Sequence, residues 1–302
     1  MDTDRAAAAR IIIEDTVRNM AREHVGRTAY REPLFGYARA DDPAWKELRE
    51  RHVPGHLLPS DILPGARSVA CLFLPFEREV VAANARAEVC ADEWATAYVE
   101  TNNLLASMCS EIQARLEPAG VRASWELPTH NFDPVLLRAK WSHKSVAVIA
   151  GIGAIGLHQM LITRSGCAGR VSSITVDVDL THGFGGPAQH GLHEQHSLAA
   201  QRGEALYSAA DLSSEGHRAR YCGFFAGKRC TVCMRRCPVS AISENGIDKA
   251  ACYRHLNEVM AYFAGKGWPA GEADVCGKCV TGPCALAPYR RATGRRAEAG
   301  RD

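Results

Sequence analysis

Twelve cysteines stand in 302 residues, and eight of them crowd between Cys222 and Cys284. The other four, Cys71, Cys90, Cys109 and Cys167, are scattered. The opening stretch, "MDTDRAAAARIIIEDTVRNM", has acids on both sides of a short apolar run. It lacks the basic start and long apolar segment of a secretion signal. No run approaches the roughly 20 apolar residues that cross a bilayer. A cytoplasmic protein without a membrane partner is therefore expected. In that reducing compartment a dense group of thiols points to metal or redox chemistry before disulfides.

The spacing narrows the choice. "CTVCMRRCP" sets Cys230, Cys233 and Cys237 in a C-x2-C-x3-C-P pattern ending on Pro238. Two thiolates of such a run point at one cluster, and the one before proline turns away. In two-cluster ferredoxins that last cysteine binds the other cluster. Cys252 follows, and "CGKCVTGPC" adds Cys276, Cys279 and Cys284. Two [4Fe–4S] clusters need eight thiolates. The crossed arrangement gives Cys237, Cys252, Cys276 and Cys279 to one and Cys230, Cys233 and Cys284 to the other. The usual remaining ligand would stand three residues before Cys230, where the sequence has Gly227; Cys222 is the nearest replacement. Zinc is the competing reading: Cys230, Cys233, Cys276 and Cys279 would form a four-thiolate site, leaving Cys237, Cys252 and Cys284 without a role. Arg218, Arg220, Lys228, Arg229, Arg235 and Arg236 make this region basic. Such charges raise a cluster's potential, mark a nucleic-acid footprint, or are plain solvated surface. The net charge of +2 decides nothing about nucleic acid.

Ahead of the cysteines the chain reads as a mixture of helices and strands. Apolar residues make up 46% of it, enough for a core. Periodicity predicts a helix over 5–25, a short helix over 44–52 and a buried strand through Val69, Cys71 and Phe73. A long amphipathic helix with Tyr98, Leu105 and Met108 near one face ends at Pro118 and Gly120. "VRASWEL" and "GRVSSITVDVDL" read as strands, and residues 134–149 are ambiguous. A glycine-rich loop follows, with His182, His190, His193 and His196 as loop residues or a weak metal cluster, and then a helix over 196–210. The expected organisation is a first domain over 1–215, a cysteine domain over 216–290 and a polar tail over 291–302. Cys167 reads as a small packed residue.

"SVAVIAGIGAIGLHQML" reads as strand, glycine turn and helix. Gly151, Gly153 and Gly156 have the G-x-G-x-x-G spacing of a dinucleotide-binding loop, and Asp177 stands where a ribose-binding acid belongs. The further β-α units of that fold are not visible, so the fingerprint stands alone.

The wider segment "WSHKSVAVIAGIGAIGLHQMLITRSGCAGRVSSITVD" resembles the glycine-rich region of epoxyqueuosine reductase-like proteins. "LPGARSVACLFLPF", the cysteine block with "CP-x-x-AI" in Cys237 to Ile242, and "IDKAACYRHLNE" match that family in order. The resemblance covers about residues 55–285. It implies an α+β chain: a nitroreductase-like mixed α/β domain followed by a ferredoxin-like domain with two [4Fe–4S] clusters. It also implies cobalamin, with Gly151, Gly153 and Gly156 lining the corrin, and kinship with reductive dehalogenases. The implied reaction is reductive removal of oxygen or another leaving group, with electrons from an external donor such as ferredoxin or flavodoxin. The substrate would be a small molecule or a modified nucleoside. The family's acid stands three residues before a proline. Here "NFDPVLLRAKW" has Asn131 at that place and Asp133 two residues on. Asp133 is the candidate acid, with His130 and His143 as alternatives; Asp133 also reads as a helix start before Pro134. The helical-repeat segment that helps some members hold tRNA is not seen, so a tRNA partner stays open. Two other functions compete: an electron carrier or reductive activator of a partner protein, and a nicotinamide-dependent iron–sulfur oxidoreductase.

Overall fold

The computed structural model of the protein describes residues 2–129, 131–181 and 214–289. Before the cysteine region the chain runs α1 (Asp2–Arg22), β1 (Leu34–Arg39), α2 (Pro43–Glu47), α3 (Pro59–Ile62), β2 (Ser68–Pro75), α4 (Arg78–Arg86) and α5 (Asp92–Leu116). It continues through β3 (Ala123–Trp125), β4 (Phe132–Asp133), β5 (Arg138–Ala139), α6 (His143–Ile149), β6 (Gly153–Ile155), β7 (Leu161–Thr163) and β8 (Gly169–Val176). Four strands form one sheet in the order β1-β2-β8-β3. Each neighbouring pair is antiparallel. The architecture is α+β.

β2 is buried at every position because both faces of the sheet are covered. Successive side chains of a strand point to opposite faces. Ala70, Leu72 and Leu74 meet Ala9, Ile13 and Val17 of α1 and Leu105, Met108 and Ile112 of α5. Val69, Cys71 and Phe73 pack with Trp45, Trp141, Val146 and Leu161 on the other side. The unbroken apolar run in "SVACLFLP" is the trace of that double burial. α5 ends where the sequence predicts: a tight turn over Glu117–Ala119 leads to Gly120 at φ 68°, a left-handed backbone that glycine adopts without strain.

The glycine segment differs from the strand–turn–helix expectation; its order is inverted. Ser145 to Ile149 completes α6, which the Ser142 hydroxyl caps by accepting from the Ser145 N–H. Gly151 turns the chain at φ 74°, and β6 pairs with β7 as a small hairpin. Val146 and Ala147 are fully buried in the core shared with β2. That packing overrides the strand preference of the valines. The described chain runs from the glycines through the β6–β7 hairpin into β8, so no helix N-terminus directly follows them to receive a pyrophosphate. Asp177 is engaged elsewhere, accepting from the Arg122 backbone N–H and guanidinium at 2.9 Å each. The nicotinamide reading loses both its supports.

The ambiguous stretch 134–149 resolves into the β4–β5 hairpin turn followed by α6. His130, the four loop histidines His182, His190, His193 and His196, the helix expected over 196–210 and the polar tail lie outside the described residues.

The cysteine region is built from short pieces: helices Glu215–Ala219 and Val232–Arg236, a hairpin of Ile242–Ser243 with Gly246–Ile247, and one longer helix, Lys249–Gly265. It has no separate core of any size. Tyr221, Ile242, Val259, Phe263 and Val275 pack into the same cluster as Phe76, Trp94, Ala95 and Tyr98. The boundary expected near 215 is thus spanned by continuous apolar packing. Arg31 adds a polar tie. Its guanidinium donates to the carbonyls of Phe76, Ser165 and Leu286 at 2.8, 2.8 and 3.0 Å. Cys167 and Ala168 donate backbone bonds to Cys284 and Ala285 at 2.9 and 3.0 Å.

Candidate functional site

Seven of the eight clustered cysteines are half-buried and Cys222 is buried. Burial drives the Cys279 thiol far above the ordinary value, and Cys276, Cys252, Cys233 and Cys237 all lie within its electrostatic reach. Cys252 and Cys276 are raised by burial as well. Cys237 accepts a backbone hydrogen bond from Ala241 at 3.2 Å. Burial pushes the Cys233 thiol up to about 11, and Cys284, Cys222 and Cys230 lie within its electrostatic reach. Cys222 is buried beside them. Gly227, at the position three residues before Cys230, has φ 71°; a side chain there would be strained. Buried thiols that repel one another are costly to ionise without a bound cation. As sets of soft donors they suit metal or iron–sulfur ligation.

Neighbouring elements fix these loops. Lys278 is buried and donates to the carbonyls of Asn84, at 2.8 Å, and Ala87. The Asn84 amide donates to the Cys276 carbonyl at 2.9 Å. Gly277 turns at φ 69° against the indole of Trp94, whose atoms a Cβ would meet at 2.2 Å. Arg218 donates to the carbonyls of Ile155 and Gly156 at 2.9 and 3.4 Å, joining the cysteine region to the glycine segment. Neither Lys278 nor Asn84 carried a sequence signal.

A cavity of about 810 Å³ opens where the two regions meet. Cys237, Cys252, Cys276 and Cys279 form part of its wall, so some of this volume is the space among those four residues. Val148, Ile149, Ile155, Met160 and Leu256 supply apolar wall, and Lys144 and Arg170 supply charge. Lys144 donates to the Gln159 carbonyl at 2.8 Å. Surrounding protein lowers its pKa to about 8.

The other predicted site residues are placed differently. Gly151, Gly153 and Gly156 do not line the cavity. A Cβ on Gly153 would meet the Ile162 carbonyl oxygen at 2.1 Å, and one on Gly156 the Ile162 side chain at 2.7 Å. These two serve close packing of the hairpin. Asp133 lies at the β4–β5 turn, outside the cavity lining. Its carboxylate accepts from the Val135 and Leu136 N–H groups at 2.8 Å each. Those bonds hold it below the usual carboxylate range, and they form a hairpin turn, not a helix start. His143 is buried outside the lining, bonded to Ser173 Oγ at 2.8 Å and the Leu127 carbonyl at 2.9 Å. Burial lowers its pKa to about 4.

No protein-family model matches the sequence, and no curated protein matches it. Solved structures do match in fold. An epoxyqueuosine reductase in complex with an epoxyqueuosine-modified tRNA-Tyr stem loop is 13% identical, with a TM-score of 0.51 over 94% of this chain and 68% of that one. This chain has the epoxyqueuosine reductase fold. The enzyme from Streptococcus thermophilus is 15% identical, with a TM-score of 0.46 over 91% of this chain and 67% of that one. A catabolic reductive dehalogenase in complex with 3-bromo-4-hydroxybenzoic acid is 14% identical, with a TM-score of 0.44 over 87% of this chain and 30% of that one. The chain spans about two thirds of the length of the epoxyqueuosine reductases and under a third of that dehalogenase. Among the described residues no helix is long and apolar enough to cross a membrane.

Proposed function

We propose that the protein is an oxidoreductase of the epoxyqueuosine reductase type, removing oxygen or another leaving group from a substrate held in the cavity. One observation carries this reading: Cys237, Cys252, Cys276 and Cys279 form part of the wall of a large, mostly apolar cavity. Cys222, Cys230, Cys233 and Cys284 would hold one [4Fe–4S] cluster, and Cys237, Cys252, Cys276 and Cys279 the other. The cavity would hold cobalamin. When bound, these groups supply single electrons and a strongly reducing metal centre. The protein's part is to admit the substrate, exclude water with the apolar wall and provide a proton. Lys144 is the cavity residue we assign to that last task. With a pKa of about 8 it carries a proton at neutral pH and releases it readily. Asp133 would need its turn to open before it reached the cavity.

Exposed Arg220, Lys228, Arg229 and Arg235 lie near the Cys222 group and suit an acidic electron donor or an RNA backbone. The fold neighbour with a bound tRNA stem loop makes a modified nucleoside the first substrate to try. An electron carrier alone would have no use for so large a cavity.

Anaerobic purification with iron, sulfide and cobalt counted per chain tests the proposal. About eight irons per chain and tight cobalamin uptake are expected, with turnover under a strong reductant. A zinc-loaded, colourless protein would refute it. Full clusters with no corrin uptake would reassign the chain as a carrier. Lys144→Met should lower turnover and remove a decline in rate above about pH 8 while leaving the iron content unchanged.

A further inference from the structure

The sulfur of Cys284 meets two buried side chains from the first part of the chain. His158 Nε2 is 3.5 Å from it and Cys167 Sγ is 3.7 Å away. His158 and Cys167 are 2% and 5% exposed. Cys167 is fixed by its backbone bond to the Cys284 carbonyl. His158 is fixed by the Met160 N–H, which donates to Nδ1 at 3.1 Å.

These three ligand-type atoms lie within 4.8 Å of one another. The separations are near the edges of a tetrahedral zinc site, about 3.8 Å for S···S and 3.6 Å for N···S given bonds of about 2.3 and 2.0–2.1 Å. The Met160 contact decides against an ion. Because Nδ1 accepts a hydrogen bond, the neutral ring carries its proton on Nε2, the atom a metal would need free. Nε2–H therefore points at sulfur as a donor. The Cys167 thiol reaches the same sulfur at 3.7 Å and the Val280 carbonyl at 3.6 Å, and a thiolate is the stronger acceptor for its one proton.

We propose that His158 and Cys167 are positioning residues that donate hydrogen bonds to the Cys284 thiolate and raise the reduction potential of the cluster it holds. Hydrogen bonds to ligand sulfur stabilise the more negative, reduced state. The site of Cys222, Cys230, Cys233 and Cys284 then takes the first electron. The step is the one-electron reduction of [4Fe–4S]2+ to [4Fe–4S]+ by an external one-electron donor, with no proton moved and no bond broken. The inference rests on the cluster reading above and adds an order of reduction to it.

The test is a redox titration of anaerobic holoprotein with dithionite, followed by electron paramagnetic resonance. Two waves are expected in the wild type. In His158→Leu and Cys167→Ala the upper wave moves to more negative potential, and it moves furthest in the double variant. The lower wave stays in place, and iron stays at about eight per chain. His158→Gln, whose amide still donates, restores part of the shift. Unmoved waves would overturn the inference. So would a loss of four irons in Cys167→Ala or His158→Leu, since that would make these residues ligands. Zinc found on the three residues by X-ray absorption would overturn it too. A wild-type protein without iron would instead sink the cluster reading itself, and this inference with it.

Discussion

The sheet region and the cysteine region are held together by different forces. The first buries both faces of β2 between α1, α5 and α6 and needs nothing else to close. The second has one helix longer than five residues among those described and packs its apolar side chains into a cluster borrowed from α5. A region with so little core of its own depends on covalent or metal links for order. On the proposed function the cysteines would do two jobs: hold the redox groups, and through them hold the fold around the cavity.

The largest break in this contrast should come from the ligands. Cys222→Ala should cost about four of about eight irons, and stripping all iron with a chelator should melt the cysteine region. Circular dichroism and hydrogen exchange should show the sheet surviving both treatments. The reverse experiment is Trp141→Ala. Trp141 stacks on Trp45 with ring centroids 5.6 Å apart and donates to Ser173 Oγ at 2.9 Å. Its loss should destabilise the sheet region by about 3–5 kcal/mol in denaturant titration, at unchanged iron content. Gly277→Ala tests the seam between the regions. The left-handed backbone and the contact with Trp94 should cost about 1–3 kcal/mol and loosen iron held by Cys276 and Cys279.

The smallest effect, taken per side chain and per pH unit, is pH-dependent and belongs to the sheet region. His56 and His143 are both lowered to about 4 by burial, against about 6.5 in an unfolded chain. The folded state keeps them neutral, while the unfolded state takes up their protons below pH 6.5. Stability is therefore fully present above pH 6.5 and falls as pH drops toward 4. The slope approaches about 1.4 kcal/mol per pH unit for each histidine. Denaturant midpoints at pH 7 and pH 5 measure it. His143→Gln should flatten the slope by roughly half.

What was legible in the sequence follows the same divide between local and long-range causes. β2 was readable because double burial leaves an unbroken apolar run, and α5 because its face repeats at helical spacing and ends on Pro118 and Gly120. The crowding of eight cysteines into one region was readable because it is local in the chain; how they are shared between clusters is a proposal. The glycine segment was misread: "SVAVIAGIG" favours a strand locally, and only burial of Val146 and Ala147 makes it a helix. Asp133 looked like an acid or a helix start because a turn-closing carboxylate has the same neighbours in sequence. His158 carried no signal of its own, and Lys144 only its place in the basic pair of the family-like segment. Their partners, Cys284 for one and the cavity for the other, are brought to them by a backbone pairing between residues 167–168 and 284–285 that no local pattern records.

The guanidinium of Arg31 closes on carbonyls from three separate stretches of chain, at Phe76, Ser165 and Leu286. The cysteine-rich part is consequently tied to the rest of the chain by a shared cation. Excised and produced alone, it would lose the cation that caps Leu286 and the aromatic floor formed by Phe76 and Trp94, so it would not serve as a free-standing miniature ferredoxin.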